Sequence, residues 1–295
     1  FLVAHRPGFV APTLAARSFA TLDQFSGGRV AMHVISGGND ADQRRDGDHL
    51  DKEARYRRTD EYLEVVTRTW TAATPFDHHG EHYRVEDVSP DVRPLGHIPI
   101  YFGGSSPAAY RVGGRHADVF ALWGEPLAET AEQIAAVHEA ARQAGRTTMP
   151  RISVSFRPIL GATEEQAWAR AYDIRDRIAG FDGGAGSFTG TRMPDRAPAN
   201  VGSQRLLAAA ERGERHDRAL WTATAAATGA AGNSTALVGT PETVAAALLD
   251  YVELGVTTLL IRGYDPIDDA IAYGRDLLPL VRAELARRAP VGAPA

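Results

Sequence analysis

Short apolar runs alternate with amphipathic segments along most of the chain, and a Gly or Pro usually separates one from the next. This alternation is typical of an α/β protein whose strands run parallel. The apolar runs predict six strands, at Phe1 to His5, Val30 to Ile35, Ile98 to Phe102, Asp118 to Leu122, Ile152 to Leu160 and Thr257 to Arg262.

Four segments between these strands carry apolar residues at helical spacing, and three of them also begin with a helix-start signal. Thr163 is followed by Gln166 at the spacing of a capping box, and Thr240 directly precedes a Pro at a helix start. The predicted helices are Pro12 to Phe25, Glu53 to Trp70, a helix after Thr163 that carries Trp168, Tyr172 and Ile178, and Pro241 to Leu254.

The pattern changes between residues 181 and 234, where Gly, Ala, Thr, Pro and charged residues replace the apolar runs. Only Gln204 to Arg212 is predicted to be helical there. We interpret this segment as an insertion before the last strand. It is either an excursion without a function, disordered or ordered only by crystal packing, or a mobile lid over an active site. We favour the lid.

Length and composition fit one barrel-sized domain that spans residues 1–295. The absence of cysteine excludes a disulfide, a thiolate metal site and a cysteine nucleophile in this sequence. A net charge of −5 with dispersed arginines argues against nucleic acid as a partner. Without a long apolar span or a leader, we expect a cytoplasmic protein and no membrane partner. Because the first residues form a strand without an initiator Met, we expect the natural chain to begin upstream.

The run Tyr101-Phe-Gly-Gly-Ser-Ser-Pro predicts a strand that turns directly into a helix. Gly104 would let backbone approach a ligand, and Ser105 and Ser106 would donate hydrogen bonds beside the free amides of the helix start. This pattern is typical of a phosphate-binding turn, although an ordinary tight turn has the same residues. It is not the glycine pattern of a dinucleotide-binding fold.

Polar residues also lie near the ends of two other predicted strands. Arg157 and Ser155 alternate with apolar residues, so a guanidinium would point into the mouth of a barrel and bind a substrate anion, a flavin phosphate or a protein carboxylate. His33 lies near the carboxyl end of its strand, where ligands bind in parallel α/β proteins. A histidine satisfied within the core remains the alternative.

Two further clusters predict structure rather than chemistry. The run His78-His-Gly-Glu-His82 resembles a metal site, but its flanking extended runs favour a hairpin turn without metal. The acidic residues lack the spacing of a calcium loop and predict a solvated loop; they are Asp40, Asp42, Asp46, Asp48 and Asp51.

Taken in order, several segments resemble the alkanesulfonate monooxygenase branch of the bacterial luciferase-like flavin monooxygenases. They are Arg6-Pro-Gly with Pro12-Thr-Leu-Ala-Ala-Arg, Leu22-Asp-Gln-Phe-Ser-Gly-Gly-Arg, Arg55-Tyr56 with Asp60-Glu61, Tyr101-Phe-Gly-Gly-Ser-Ser, Trp123-Gly-Glu-Pro, Thr235-Ala-Leu-Val-Gly and Gly263-Tyr264. The resemblance implies an α/β fold, namely a TIM (β/α)₈ barrel. It also implies that the first two β/α units of the barrel are missing from this sequence.

The same resemblance implies a chemistry and its partners. Reduced FMN would come from a separate NAD(P)H-dependent FMN reductase and react with O₂ to give a flavin peroxide. A small organosulfur substrate, an alkanesulfonate, would then be cleaved to an aldehyde and sulfite by a homo-oligomeric enzyme. A deazaflavin (F420)-dependent oxidoreductase of the same superfamily and a noncatalytic flavin-binding barrel are the alternatives.

By position, the resemblance also assigns roles to individual residues. Tyr56, Ser105 and Ser106, with Gly104, would contact the flavin phosphate, and His33 and Ile35 would lie along the flavin ring. We expect His33, Arg157 and Tyr264 to be catalytic, with Tyr264 donating a proton or a hydrogen bond. We assign substrate contacts to Arg6, Trp123, Arg157 and Arg262.

The chain departs from the family pattern where sulfonate-cleaving relatives bind substrate. The strand with Ser155 and Arg157 lacks the histidine of those relatives, and the segment after Trp221 lacks their arginine. Arg262 replaces a small residue. A sulfone, a thioether, a ketone or a long-chain compound is therefore an alternative substrate.

Overall fold

In a computed structural model of the chain, the described residues are 1–37, 40–180, 198, 200–230 and 235–288. They form two compact units: residues 1–121 with 134–151, and residues 122–133 with 152 onward. We call these unit 1 and unit 2. Each unit combines parallel strands with helices, as the alternating pattern predicts.

Unit 1 has a parallel sheet in the order β1-β2-β5-β6 and a separate β3-β4 hairpin. Its elements are β1 (Leu2–His5), α1 (Pro12–Ser26), β2 (Ala31–Val34), α2 (Asp40–Arg45), α3 (Lys52–Thr71), β3 (Phe76–His79), β4 (Arg84–Val88), β5 (Ile100–Gly103), α4 (Pro107–His116), and parts of β6 (Val119–Trp123) and α5 (Leu127–Gln143).

The core of unit 1 is formed by the strands and by the inner faces of α1 and α3. The indole of Trp70 is buried on α3 and donates a hydrogen bond to the Ala16 carbonyl on α1 at 2.8 Å, which fixes the two helices together. Fully buried Phe102 and Phe120 continue the core along β5 and β6. This packing holds the carboxyl ends of the strands in register.

Unit 2 has β10 and β11 on either side of β7, both parallel to it, and a short antiparallel extension of β9 and β8 beyond β10. Its elements are β7 (Arg151–Leu160), α6 (Glu164–Gly180), α7 (Val201–Arg212), β8 (Arg215–His216), β9 (Leu220–Trp221), α8 (Ala223–Thr228), β10 (Ala236–Gly239), α9 (Pro241–Glu253), β11 (Val256–Ile261), α10 (Asp268–Ala272), a π-helical turn (Tyr273–Leu277) and α11 (Leu278–Arg288).

All six predicted strands and all four predicted helices are present, with ends that differ by one or two residues. The two predicted caps are also present: Thr163 accepts a hydrogen bond from the Gln166 amide at 3.3 Å, and Thr240 accepts one from the Thr243 amide. Strand β10 was not predicted as an element, because its four buried residues form a run too short to separate from loop.

The predicted insertion contains more regular structure than its composition indicates. Besides α7, which covers the predicted helix, the described part includes β8, β9 and α8. Residues 181–197, 199 and 231–234 of this segment lie outside the described residues. The predicted lid lies partly among those residues, and its movement stays a prediction.

The acidic run from 40 to 51 is only partly the predicted solvated loop: Asp40 and Asp46 are exposed, but the run contains a helix and one buried carboxylate. Residues 40–45 form α2, and Asp51 caps α3 by accepting a hydrogen bond from the Ala54 amide at 2.8 Å. The Asp48 side chain is only 4% exposed and binds the Arg58 guanidinium at 2.6 Å. A buried carboxylate needs a charged or hydrogen-bonding partner. Here the partner is Arg58, which lies on α3 after the acidic run.

Candidate active site

In unit 1, three of the residues predicted to bind a flavin phosphate converge between β5 and α4. Gly104 has a φ of +139°, and a Cβ at this position would lie 2.7 Å from the Ala109 Cβ and 3.4 Å from the Tyr56 hydroxyl oxygen. Tyr56 and Ser106 are both buried, and their hydroxyl groups interact. Ser105 is partly exposed in the same turn.

This turn leads directly into the first turn of α4. The Ser106 hydroxyl caps the helix by accepting a hydrogen bond from the Ala109 amide at 3.2 Å, and Pro107 occupies the first helical position. A ten-residue helix that starts in this way leaves amide groups and the positive end of its dipole directed at the turn. The arrangement is suited to an anion such as a phosphate.

The residue before Tyr56 on α3 is a buried arginine that ties the start of the helix to the preceding segment. The Arg55 side chain is 1% exposed, and its guanidinium binds Asp40 and the Leu50 carbonyl, each at 2.5 Å. Burial raises the pKa of the Tyr56 phenol, and the hydrogen bond with Ser106 opposes that rise. The phenol is therefore neutral near pH 7 and can donate a hydrogen bond to an anion.

His33 and Ile35 lie at the carboxyl end of β2, as predicted. His33 is level with Tyr101 on the neighbouring β5 and is partly buried, and burial lowers its pKa below the usual value. A neutral imidazole therefore predominates at pH 7. Ile35 is 39% exposed, and its amide donates to the His5 carbonyl at 2.9 Å. An apolar side chain and a neutral ring of this kind could line a planar aromatic ligand.

Arg6 follows β1 and lies on the surface. Its guanidinium pairs with Asp46 at 3.2 Å, and the two side chains are 44% and 57% exposed. An exposed pair of this kind contributes little to stability, so Arg6 can exchange partners readily. A cleft of about 410 Å³ lies beside it and is lined by Gly8, Phe9, Asp46, Gly47, Asp48, His49, Leu50 and Arg58.

In unit 2, Arg157, Arg262 and Tyr264 form a second group of predicted site residues. The Arg157 guanidinium donates to the Gly263 carbonyl at 3.0 Å and lies 5.0 Å from the centre of the Tyr264 ring. Burial lowers the pKa of Arg157, and the neighbouring charge of Arg262 lowers it further. A partly buried arginine beside an exposed one that repels it favours the binding of an anion.

The Tyr264 phenol is buried next to α8. Its pKa is raised by burial, while the hydroxyl of Thr224 and the charge of Arg157 oppose the rise. Thr224 is itself fully buried. The phenol therefore stays protonated at pH 7 and keeps a proton available for donation.

Trp123 lies at the end of β6 and packs on α7 of the predicted insertion. It contacts the cluster of Leu206, Ala225 and Ala230, and a Cβ on Gly202 would lie 3.0 Å from its ring. The rest of its loop is held by Glu125, whose carboxylate binds Arg205 on α7. Sequence reasoning missed Glu125 and Arg205 because they are 80 positions apart.

Sequence reasoning also missed Thr224 and Asp269. Asp269 is 2% exposed and accepts hydrogen bonds from the amides of Tyr264 at 2.8 Å and Asp265 at 2.9 Å. The signal that could have identified it is the run Asp265-Pro-Ile-Asp-Asp269, which is typical of a helix start. Thr224 lies in an Ala-Thr run without any pattern that marks it.

The histidine-rich run forms the predicted hairpin. Gly80 donates its amide to the Tyr83 carbonyl at 2.9 Å between β3 and β4. The carboxylate of Glu61 binds the His78 imidazole at 3.1 Å and two amides of the turn. Across the described part of the chain, no group of three or more His, Asp or Glu side chains could hold a metal ion. No helix of the same part is long and apolar enough to span a membrane.

Comparison with known proteins agrees with this fold. Residues 1–258 match the family model of luciferase-like monooxygenases. An EDTA monooxygenase from Chelativorans sp. BNC1 superposes with a TM-score of 0.76 at 19% identity, covering 96% of this chain and 73% of that one.

Two further solved structures are similar. A riboflavin lyase with modified FMN and riboflavin superposes with a TM-score of 0.73 at 22% identity, over 100% of this chain and 72% of that one. An F420-dependent secondary alcohol dehydrogenase superposes with a TM-score of 0.63 at 17% identity, over 92% and 75%.

The fold is therefore the predicted α/β fold of luciferase-like TIM barrels. The chain belongs to the luciferase-like monooxygenase family and is a flavin-dependent oxidoreductase.

Proposed function

We propose that the chain is a monooxygenase that uses reduced FMN supplied by a separate NAD(P)H-dependent reductase. Its substrate would be a small organosulfur compound, and an alkanesulfonate is the first candidate. The enzyme would cleave the alkanesulfonate to an aldehyde and sulfite. The active form would be a homo-oligomer. The observation that carries the proposal is the convergence of Gly104, Ser106 and the Tyr56 hydroxyl at the start of α4.

These residues fit the phosphate of FMN. The bare Cα of Gly104 leaves backbone accessible where a side chain would meet Ala109, and the phenol and serine hydroxyls supply donors at the positive end of a helix. Tyr56, Gly104, Ser105 and Ser106 would hold the phosphate, and His33 and Ile35 would lie along the ring. When bound, reduced FMN would supply the electrons that activate O₂.

The protein's own residues would bind the substrate and move one proton. Arg157 and Arg262 would attract the anionic end of the substrate through charge-assisted hydrogen bonds. The buried Tyr264 phenol, kept protonated by its raised pKa, would donate a proton or a hydrogen bond to the substrate. Trp123 and Arg6 are further candidates for contacts with the substrate.

A binding experiment tests the phosphate site directly. Reduced FMN, reduced riboflavin and reduced F420 are titrated anaerobically into the wild type and into Ser106→Asp. Asp keeps the cap on α4 but places a negative charge where the phosphate would bind. We expect Ser106→Asp to weaken reduced FMN at least tenfold and to leave reduced riboflavin within about twofold. Equal losses for FMN and riboflavin would contradict the phosphate site.

Turnover then tests the substrate. Oxygen is admitted to the reduced complex with a panel of alkanesulfonates, sulfones and thioethers, and sulfite release is measured. We expect sulfite from an alkanesulfonate, and Arg157→Ala should raise its KM by about tenfold or more. If the enzyme oxidises only a sulfone or only a thioether, that compound and not the sulfonate is the substrate.

Hydride transfer with F420 is the second candidate, because an F420-dependent alcohol dehydrogenase is among the similar structures. Preference for reduced F420 over reduced FMN, with alcohol or ketone turnover in the absence of oxygen, would favour it over the monooxygenase.

A further inference from the structure

The peptide unit between Gly263 and Tyr264 is held at both of its polar atoms. Its carbonyl oxygen accepts a hydrogen bond from Arg157 Nη1 at 3.0 Å, and its amide donates to Asp269 Oδ2 at 2.8 Å. This peptide follows β11 by one residue. The backbone that carries the Tyr264 side chain is therefore fixed from β7 on one side and from α10 on the other.

The Asp269 carboxylate uses both of its oxygens. Oδ2 accepts the amides of Tyr264 and Asp265, and Oδ1 accepts Arg170 Nη2 of α6 at 2.5 Å. The side chain of Asp269 is 2% exposed, whereas that of Arg170 is 35% exposed. A carboxylate this deeply buried is stable only with such partners, so Asp269 has little freedom to move.

Gly263 lets this carboxylate approach the chain closely. A Cβ on Gly263 would lie 2.1 Å from Asp269 Oδ2, a distance that no side chain could accept. The first amides of α10 do not depend on Asp269, because Asp265 Oδ1 accepts the amides of Ile267 and Asp268, each at 3.0 Å. Asp269 therefore serves the turn that carries Tyr264 rather than the start of the helix.

The position of the Tyr264 phenol depends on this turn. The phenol lies buried beside Thr224, and its ring lies 5.0 Å from the guanidinium carbon of Arg157. A backbone shift of one ångström at Tyr264 would move the hydroxyl away from Thr224. Such small displacements have large effects on proton transfer, which requires hydrogen-bond distance.

We infer that Asp269 is a positioning residue for Tyr264 and acts through the Gly263–Tyr264 turn. Arg170 neutralises the charge of the Asp269 carboxylate. Its role in turnover rests on the proposed function, in which Tyr264 donates a proton to the substrate. Asp269 itself touches neither substrate nor cofactor. Its effect on the Tyr264 phenol can be measured without any substrate.

The first test is NMR of the full chain with ¹³Cζ-labelled tyrosine. Of the nine tyrosine signals, the one lost in Tyr264→Phe belongs to Tyr264. We expect Asp269→Asn to shift this signal and to lower its titration midpoint towards the ordinary value of 10.0, because the phenol becomes more solvated. The exposed neighbour Asp268→Asn is the matched control and should leave the signal unchanged. An unchanged Tyr264 signal in folded Asp269→Asn would overturn the inference.

A second variant covers the case in which Asp269→Asn does not fold. In Asp269→Asn with Arg170→Gln, two amides replace the charged pair, so the Asn oxygen can still face the two backbone amides while its nitrogen meets an acceptor. We expect the Tyr264 signal of this double variant to shift as well, because a neutral amide oxygen accepts the two backbone amides more weakly than a carboxylate does. A Tyr264 signal at its wild-type position in every folded variant that lacks the carboxylate would contradict a positioning role.

Kinetics then separate this inference from the proposed function. With a turned-over substrate, Asp269→Asn should lower kcat at least tenfold while the Kd of reduced FMN stays within twofold. Adding Asp269→Asn to Tyr264→Phe should cause no further loss, because no phenol is left for Asp269 to position; independent losses that multiply would overturn the inference. If no substrate is turned over, the proposed function fails, and the NMR result still decides the role of Asp269.

Discussion

The carboxylate of Glu125 lies against the Nε of Arg205, at 3.1 Å from Oε1 and 3.0 Å from Oε2. Glu125 is 2% exposed, and Arg205 belongs to α7, so the pair attaches the helix of the predicted insertion to the loop after Trp123. Burial raises the pKa of Glu125, and the charge of Arg205 opposes that rise, so the arginine favours the charged carboxylate.

Removing the arginine should therefore destabilise unit 2. We expect Arg205→Met to lower the free energy of unfolding by roughly 3 kcal/mol, because a buried carboxylate is left without its partner. Glu125→Gln in the same background should recover most of that loss. Urea unfolding measures both effects.

Arg212→Met is the matched control on the same helix. Arg212 pairs with Glu129 but is 52% exposed, so its loss should change the free energy of unfolding by less than about 1 kcal/mol. Similar effects of the two arginine substitutions would show that burial does not distinguish the pairs.

Glu61 should make the stability of unit 1 depend on pH. Burial acts to raise its pKa, but hydrogen bonds from the amides of His82 and Tyr83 and from His78 outweigh burial and lower the pKa below the usual 4.5. A lowered pKa in the folded state means that the stabilisation is present above about pH 4.5 and is lost as the pH falls through the folded value.

Glu61→Gln should therefore be less stable than the wild type at pH 7, by about 1–3 kcal/mol, and the difference should shrink as the pH falls below 4.5. Urea unfolding at several pH values measures this. Glu64→Gln, on the same helix but 43% exposed, is the control and should leave the pH profile unchanged. A constant difference between wild type and Glu61→Gln would refute the explanation.

The insertion helix should also set the environment of Trp123. A methyl group at Gly202 would lie 3.0 Å from the Trp123 ring, so Gly202→Ala should displace the indole. The part of the tryptophan fluorescence that is lost in Trp123→Phe comes from Trp123. We expect Gly202→Ala to shift this part of the emission. Ala208→Gly, a change of similar size on the same helix, should leave that fluorescence unchanged.

Local features of the fold could be predicted from the sequence because they depend on neighbouring residues. The strand ends and the caps at Thr163 and Thr240 follow from spacing within a few positions. The same spacing indicated the glycine turn at Gly104.

Long-range pairs could not be predicted in this way. Asp269 meets Arg170 across 99 positions, and no local pattern connects them. Asp48 was expected to be solvated because its neighbours in sequence are polar, yet Arg58 on the next helix buries it. Burial of a charge depends on a partner that only the folded chain brings near.

Gly104 offers the sharpest test of the phosphate-binding turn. Gly104→Ala should be destabilising for two reasons: φ is +139°, and the new Cβ would lie 2.7 Å from the Ala109 Cβ. Gly145→Ala isolates the first reason, because Gly145 also has a positive φ, of +79°, but open space around it. We expect Gly145→Ala to cost about 1–2 kcal/mol of unfolding free energy and Gly104→Ala roughly 1–3 kcal/mol more.

The binding data should separate the two glycines further. Gly104→Ala should weaken reduced FMN more than reduced riboflavin, because the displaced backbone belongs to the turn that would hold the phosphate, whereas Gly145→Ala should affect neither. Ala109→Gly added to Gly104→Ala removes the clash and should restore part of the lost stability. If Gly104→Ala binds FMN and riboflavin with wild-type affinities, the turn between β5 and α4 does not hold the phosphate, and the flavin must bind elsewhere on the chain.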